Sequence, residues 1–120
     1  FNDEFVLVQA SLEQTCDALK LRCLDVNKVW NETEIIQDIF SLIYRASVVI
    51  CDFSDRNPNV FYEAGIAHTL GRAVIPIVQN DGHVPFDLQH HRYIKYEKTG
   101  PGLAELRIRV SDRLKTLFKI

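Results

Sequence analysis

An open α/β domain is what this sequence predicts: one doubly wound, mostly parallel sheet with helices on both faces. Three observations lead there. Apolar runs of strand length alternate along the chain with segments of helical period, and that alternation calls for right-handed βαβ crossovers. The run Ser47-Val-Val-Ile-Cys-Asp-Phe53 is β-branched and apolar on both faces, as in a central parallel strand covered from two sides. Finally, 120 residues with 47% apolar and 25% charged side chains predict a single domain over residues 1–120. A chain of that size buries roughly two-thirds of its unfolded surface, enough for a core without disulfides or metals.

The elements follow in order. Phe1, Phe5, Val8, Leu12, Cys16 and Leu19 recur at spacings of three and four, which predicts a helix to about Leu21; a short strand over Phe5–Gln9 is the alternative. Arg22–Val26 reads as a short strand and Asn27–Asn31 as a loop. Asn31 or Thr33 then caps a helix with Ile35, Ile36, Ile39, Phe40, Ile43 and Tyr44 at helical period, ending near Ala46. After the strand at 47–53, Ser54–Asn59 is turn-forming. Val60–Leu70 has helical period and Gly71 stands at its stop position. Ala73–Val78 is a second buried strand in which Pro76 argues for an edge or bulge. Gln79–Leu88 is a polar loop, Tyr93–Tyr96 alternates like a short half-exposed strand, and a final helix over about Gly102–Phe118 carries Leu103, Leu106, Val110, Leu114 and Leu117. This is the element order of a three-layer, flavodoxin-like or Rossmann-like domain. Because Phe1 opens almost directly into a helix, the first strand of such a sheet is expected to precede it, along with some ligand-contacting residues.

Composition narrows the function. Fourteen Lys and Arg against sixteen Asp and Glu give a net charge of −2 with no block of like charge, so neither a nucleic acid nor an anionic membrane is the expected partner. No apolar run approaches the ~20 residues of a membrane span, and a cytoplasmic protein is expected. Cys16, Cys23 and Cys51 have no C-x-x-C spacing, and His68, His83, His90 and His91 have no convergent ligand spacing, so no disulfide framework and no metal are predicted. There is no Gly-x-Gly-x-x-Gly, phosphate-binding loop or Gly-x-Ser-x-Gly elbow, and no cofactor is expected.

Chemistry concentrates in residues 48–78. Asp52 ends a strand, Asp55, Asn57 and Asn59 lie in or beside the following loop, and Glu63 comes from the start of the next helix. In open α/β sheets ligands sit beyond the carboxyl ends of strands, and a helix N-terminus there favours an anion. Glu63 has a bland alternative as a dipole partner, Asn59 as the helix cap, Gly65 as a close-packing position against the sheet, and Tyr62 as core. Asp87, after Pro85-Phe86, either reaches the site from the loop beyond the second strand or caps a helical turn.

Asp52, Asn57-Pro58-Asn59, Tyr62-Glu63-Ala64-Gly65 and Gly71-Arg72-Ala73-Val74, in that order, resemble the nucleoside 2-deoxyribosyltransferase-like superfamily, which includes deoxynucleotide N-glycosidases and is related to bacterial TIR-like domains. The resemblance implies a nucleoside or nucleotide substrate, attack by Glu63 on the anomeric carbon, and help at the base from Asp52 or Asp55. Asn57, Asn59, Tyr62, Gly65 and Asp87 become candidate substrate contacts, and a homodimer or higher homo-oligomer is implied. Asn57 or Asn59 stands where the transferases of that superfamily commonly carry an acid. The alternatives are therefore a non-catalytic nucleotide-binding or assembly module and a TIR-like NAD-cleaving domain.

Overall fold

A computed structural model of the chain describes residues 3–25, 36–54, 58–79 and 93–120. The elements are α1 (Asp3–Ala18), α2 (Ile36–Arg45), β1 (Val48–Asp52), α3 (Pro58–Thr69), β2 (Ala73–Val78), β3 (Ile94–Lys95) and α4 (Gly100–Phe118). The three strands form one open parallel sheet in the order β1-β2-β3. The protein is thus a compact α/β domain of four helices on a small parallel sheet among the described residues.

Strand pleating divides the interior into two cores. Ile75 and Ile77 of β2, Ile94 of β3 and the half-buried Val48 and Ile50 of β1 face a cluster built with Val8, Leu12 and Cys16 of α1 and Leu103, Leu106, Val110 and Leu114 of α4. Val49 and Cys51 of β1 and Val78 of β2 face the other cluster, with Ile39 and Ile43 of α2 and Ala64 and Ala67 of α3. Alternate residues of one strand point to opposite faces, so β1 and β2 each serve both cores. Phe53, just past β1, is fully buried and stacks on Phe61 of α3 at 5.5 Å between centroids.

Val8, Leu12 and Cys16 of α1 and Leu103, Leu106, Val110 and Leu114 of α4 turn inward as the spacing predicts, whereas Leu117 is exposed and Phe118 packs on the core in its place; α1 leaves no strand over Phe5–Gln9. α4 starts earlier than expected because Thr99 caps it, its hydroxyl accepting from the Gly102 amide at 2.9 Å, with Pro101 in the first turn. Gly71 takes φ +72° and closes α3 as its sequence position predicts. The cap proposed for α2 lies outside the described residues. Phe40 and Tyr44, expected on its buried stripe, are exposed; Tyr44 instead lies under the Arg72 guanidinium, whose Nε and Nη2 donate to the Tyr44 carbonyl at 3.1 and 2.8 Å.

Four expectations are corrected. Of the short strand expected over Arg22–Val26, the described residues Arg22–Asp25 form none, and Val26 lies outside the described residues; Leu21 and Cys23 pack against the first core without joining a ladder. The run at 47–53 is covered from both faces as expected, but among the described residues β1 pairs with β2 alone and β2 is the middle of the three strands. Pro76 does sit at a local edge among the described residues, as its place in the run predicts. The Val78 carbonyl accepts from the Tyr96 amide at 3.0 Å, so Pro76, two residues earlier, aims its amide nitrogen to the same side. β3 begins only with Ile94 opposite Ile77, and no ladder donor is missed at Pro76. Third, α3 begins at Pro58, which puts Asn59 inside the first turn and not at the cap. Fourth, Gly65 is exposed and a Cβ there would meet nothing within 4 Å, so close packing does not explain it.

Candidate functional site

The carboxyl ends of the three strands are tied by a closed circuit of hydrogen bonds. Asp52 ends β1; its Oδ1 accepts from the Ser54 amide at 2.9 Å, an Asx turn that bends the chain out of the strand. Its Oδ2 accepts from the Tyr96 hydroxyl at 2.6 Å. Tyr96 follows β3, and its oxygen in turn accepts from Gln79 Nε2 at 3.3 Å. Gln79 follows β2, and its amide donates to Ser54 Oγ at 3.1 Å, closing the ring. Burial, then the Asp52 charge and its hydrogen bond, push the Tyr96 phenol well above its usual range. Tyr96 therefore stays a neutral donor, and Asp52 is held as an acceptor.

Glu63 enters from α3. Val60, Glu63, Ala64 and Ala67 recur at helical spacing on the inward side, and Glu63 is only 7% exposed. It stands in the second turn, beyond the first-turn range in which the helix dipole favours an acid, so the dipole does not account for it. Both carboxylates act on one reporter: the Cys51 thiol is pushed up to about 12 by its burial, then by Glu63, then by Asp52. A cavity of about 680 Å³, within the range of small-molecule sites, is lined by Asp52, Ser54, Glu63, Gln79 and Lys98 among mostly apolar neighbours. All five residues of β1 line it, along the edge that carries no strand among the described residues.

Of the residues singled out from sequence, Asp52 and Glu63 are brought to this one cavity. Asn59, Tyr62 and Gly65 are exposed and do not line it; 62 and 65 fall on the helix face opposite the inward stripe. Asp55, Asn57 and Asp87 lie outside the described residues. Ser54, Gln79, Tyr96 and Lys98 were not anticipated. Gln79 had a signal, being the first residue past a strand's carboxyl end, whereas Tyr96 is 44 residues from Asp52 and only the sheet register joins them. Among the described residues no group of three or more His, Cys, Asp and Glu is placed to hold a metal ion, and no helix is long and apolar enough to cross a membrane.

No family model, curated protein or solved structure matches the chain. What the site can do follows from its own groups. A half-enclosed apolar cavity accepts a planar ring, a fixed acceptor at Asp52 orients an N–H or O–H, and a buried carboxylate at Glu63 meets developing positive charge.

Proposed function

We propose that this chain takes a nucleoside or nucleotide into the cavity at the carboxyl end of β1 and acts on its N-glycosidic bond. In this reading the sheet is the centre of a doubly wound, flavodoxin-like domain, working in the cytoplasm as a homodimer or larger homo-oligomer. The observation that carries the reading is Glu63, a carboxylate buried on the inward stripe of α3 and lining the same cavity as Asp52. A Glu63 oxygen bonds to the anomeric carbon as the C–N bond breaks; the base leaves with the electron pair and takes up a proton. Water, or a second base, then displaces the glycosyl ester. With both oxygens engaged as acceptors, Asp52 grips an N–H or O–H of the ligand, which leaves Asp55 as the candidate donor to the departing base.

Binding without turnover is the second reading, favoured by the same closed circuit: a carboxylate fixed by Tyr96 and Ser54 is built to hold a ligand donor in one orientation. The test separates the two. Wild-type protein is incubated with deoxynucleosides, nucleoside monophosphates and NAD, and free base is measured by chromatography alongside the thermal shift. The expected result is base release that falls at least about 10³-fold in Glu63→Gln with the unfolding temperature retained. Undiminished release from folded Glu63→Gln overturns the reading, and a ligand that raises the unfolding temperature yet stays intact for hours selects binding instead.

A further inference from the structure

α1 ends in a reversal that brings two thiols together. Lys20 takes a left-handed φ of +60°, its amide donates to the Asp17 carbonyl at 3.0 Å, and the Leu21 amide donates to the Cys16 carbonyl at 2.8 Å. This pair of bonds is a Schellman motif, and it turns the chain back over the last turn of the helix. Two residues later Cys23 packs against the core cluster that contains Cys16, and the two thiols hydrogen-bond to each other. Both line the cavity described above, which gives a small reagent a route to them. Cys51 also lines the cavity but belongs to the core cluster on the opposite face of the sheet, away from the pair.

We propose that Cys16 and Cys23 are a reversible redox pair, oxidised by a peroxide to an intramolecular disulfide in the wall of the cavity. The two sulfurs are unequal. Cys16 accepts the bond from the Cys23 S–H, which holds its thiol below the usual value against burial and the charges of Asp17 and Glu13; Cys23 is pushed up, first by that bond and then by burial. Cys16 is the attacking thiolate. Its sulfur bonds to one peroxide oxygen, the O–O bond breaks, and the departing oxygen leaves as water with the thiol proton, giving a sulfenic acid. The Cys23 sulfur then attacks the Cys16 sulfur, the S–O bond breaks, and the hydroxide takes the Cys23 proton as a second water. Two thiols and one hydrogen peroxide become one disulfide and two waters.

Closure brings the sulfurs from hydrogen-bond contact to about 2.05 Å, and Cys23 lies in a segment, Arg22–Asp25, that joins no helix or strand ladder. The disulfide pins that segment to α1 and so fixes one wall of the cavity, whichever ligand the cavity takes.

The test is a peptide map of the whole chain after one equivalent of hydrogen peroxide, alkylation and trypsin. Lys20 and Arg22 lie between the two cysteines, so trypsin separates them unless a disulfide holds residues 1–20 to residues 23–28. The expected result is that linked pair, a mass lower by two hydrogens, alkylation remaining on Cys51 alone, and reversal by a dithiol reductant. Cys23→Ser is expected to trap a Cys16 sulfenic acid reactive toward dimedone, and Cys16→Ser to give no adduct. Three alkylatable thiols after peroxide, or disulfides between chains in place of the linked pair, overturn the proposal. The wild-type map decides even if a variant fails to fold.

Discussion

Asp52 and Cys51, neighbours at the end of β1, show how burial sets chemistry one residue at a time. The Asp52 side chain reaches the hydrogen-bond circuit at the strand ends, whereas Cys51 points into the core beneath α3, where burial and then the charges of Glu63 and Asp52 hold its thiol protonated. A thiol or phenol with a raised folded-state pKa retains its proton where the unfolded chain has lost it. Stability from both groups is therefore complete below their ordinary values, 9.0 for Cys51 and 10.0 for Tyr96, and is lost as pH rises above them. Urea midpoints between pH 7 and 11 are expected to be level up to about pH 9 and then to fall. Cys51→Ala should make the first part of that fall shallower, the raised Cys23 thiol supplying the remainder, and Tyr96→Phe should do the same for the part beginning near pH 10. Tyr96→Phe should also cost about 1.5–3 kcal/mol at pH 7, because it removes a hydrogen bond to a charged acceptor. A wild-type midpoint unchanged at pH 11 contradicts the burial of both groups.

Three helices end in the same way, and their end residues differ in how well they suit it. α1, α3 and α4 each close with a residue in the left-handed region, Lys20, Gly71 and Lys119, followed by an amide that reaches back five residues to Cys16, Ala67 and Lys115. Glycine takes that conformation without a Cβ penalty, and lysine does not. Lys20→Gly and Lys119→Gly are each expected to raise stability by about 0.5–1 kcal/mol in urea titrations, and Gly71→Ala to lower it by a similar amount; a loss on either Lys→Gly change means that the side chain contributes more than its backbone costs. The same comparison explains what the sequence makes legible. Gly71 announces its helix stop, and an acid at a strand end followed by an acid near a helix start marked Asp52 and Glu63. Lys20 carries no such mark, and Arg22–Asp25, strand-like in its pattern, forms no strand because Cys23 answers to a tertiary core and not to a ladder. Tyr96 and Gln79 meet Asp52 and Ser54 only through the parallel register of β1, β2 and β3, which no local pattern encodes. The site face of α3 was legible in its period: 60, 63, 64 and 67 turn inward together, and 62 and 65 necessarily turn out.

At the scale of the whole molecule, β2 joins two cores that share no helix. Ile75 and Ile77 serve the core under α1 and α4, while Val78 serves the core under α2 and α3. If either core fails, one face of the sheet is exposed and the strands that hold the other core lose their support. The chain should therefore unfold as one unit although its interior is divided, as single domains of this length commonly do. Leu106 and Ile39 are fully buried, one in each core. Leu106→Ala and Ile39→Ala are each expected to lower stability by about 2–5 kcal/mol. The double variant should lose the sum to within about 0.5 kcal/mol, since the two side chains lie in separate clusters and share no partner. Urea unfolding followed by far-UV circular dichroism and by tyrosine fluorescence should give one coincident transition in every variant. Two transitions in Ile39→Ala, the second retaining the helical signal of α1 and α4, would show instead that the first core stands alone and that β1 and α3, with Asp52 and Glu63, form a separately melting lobe around the cavity.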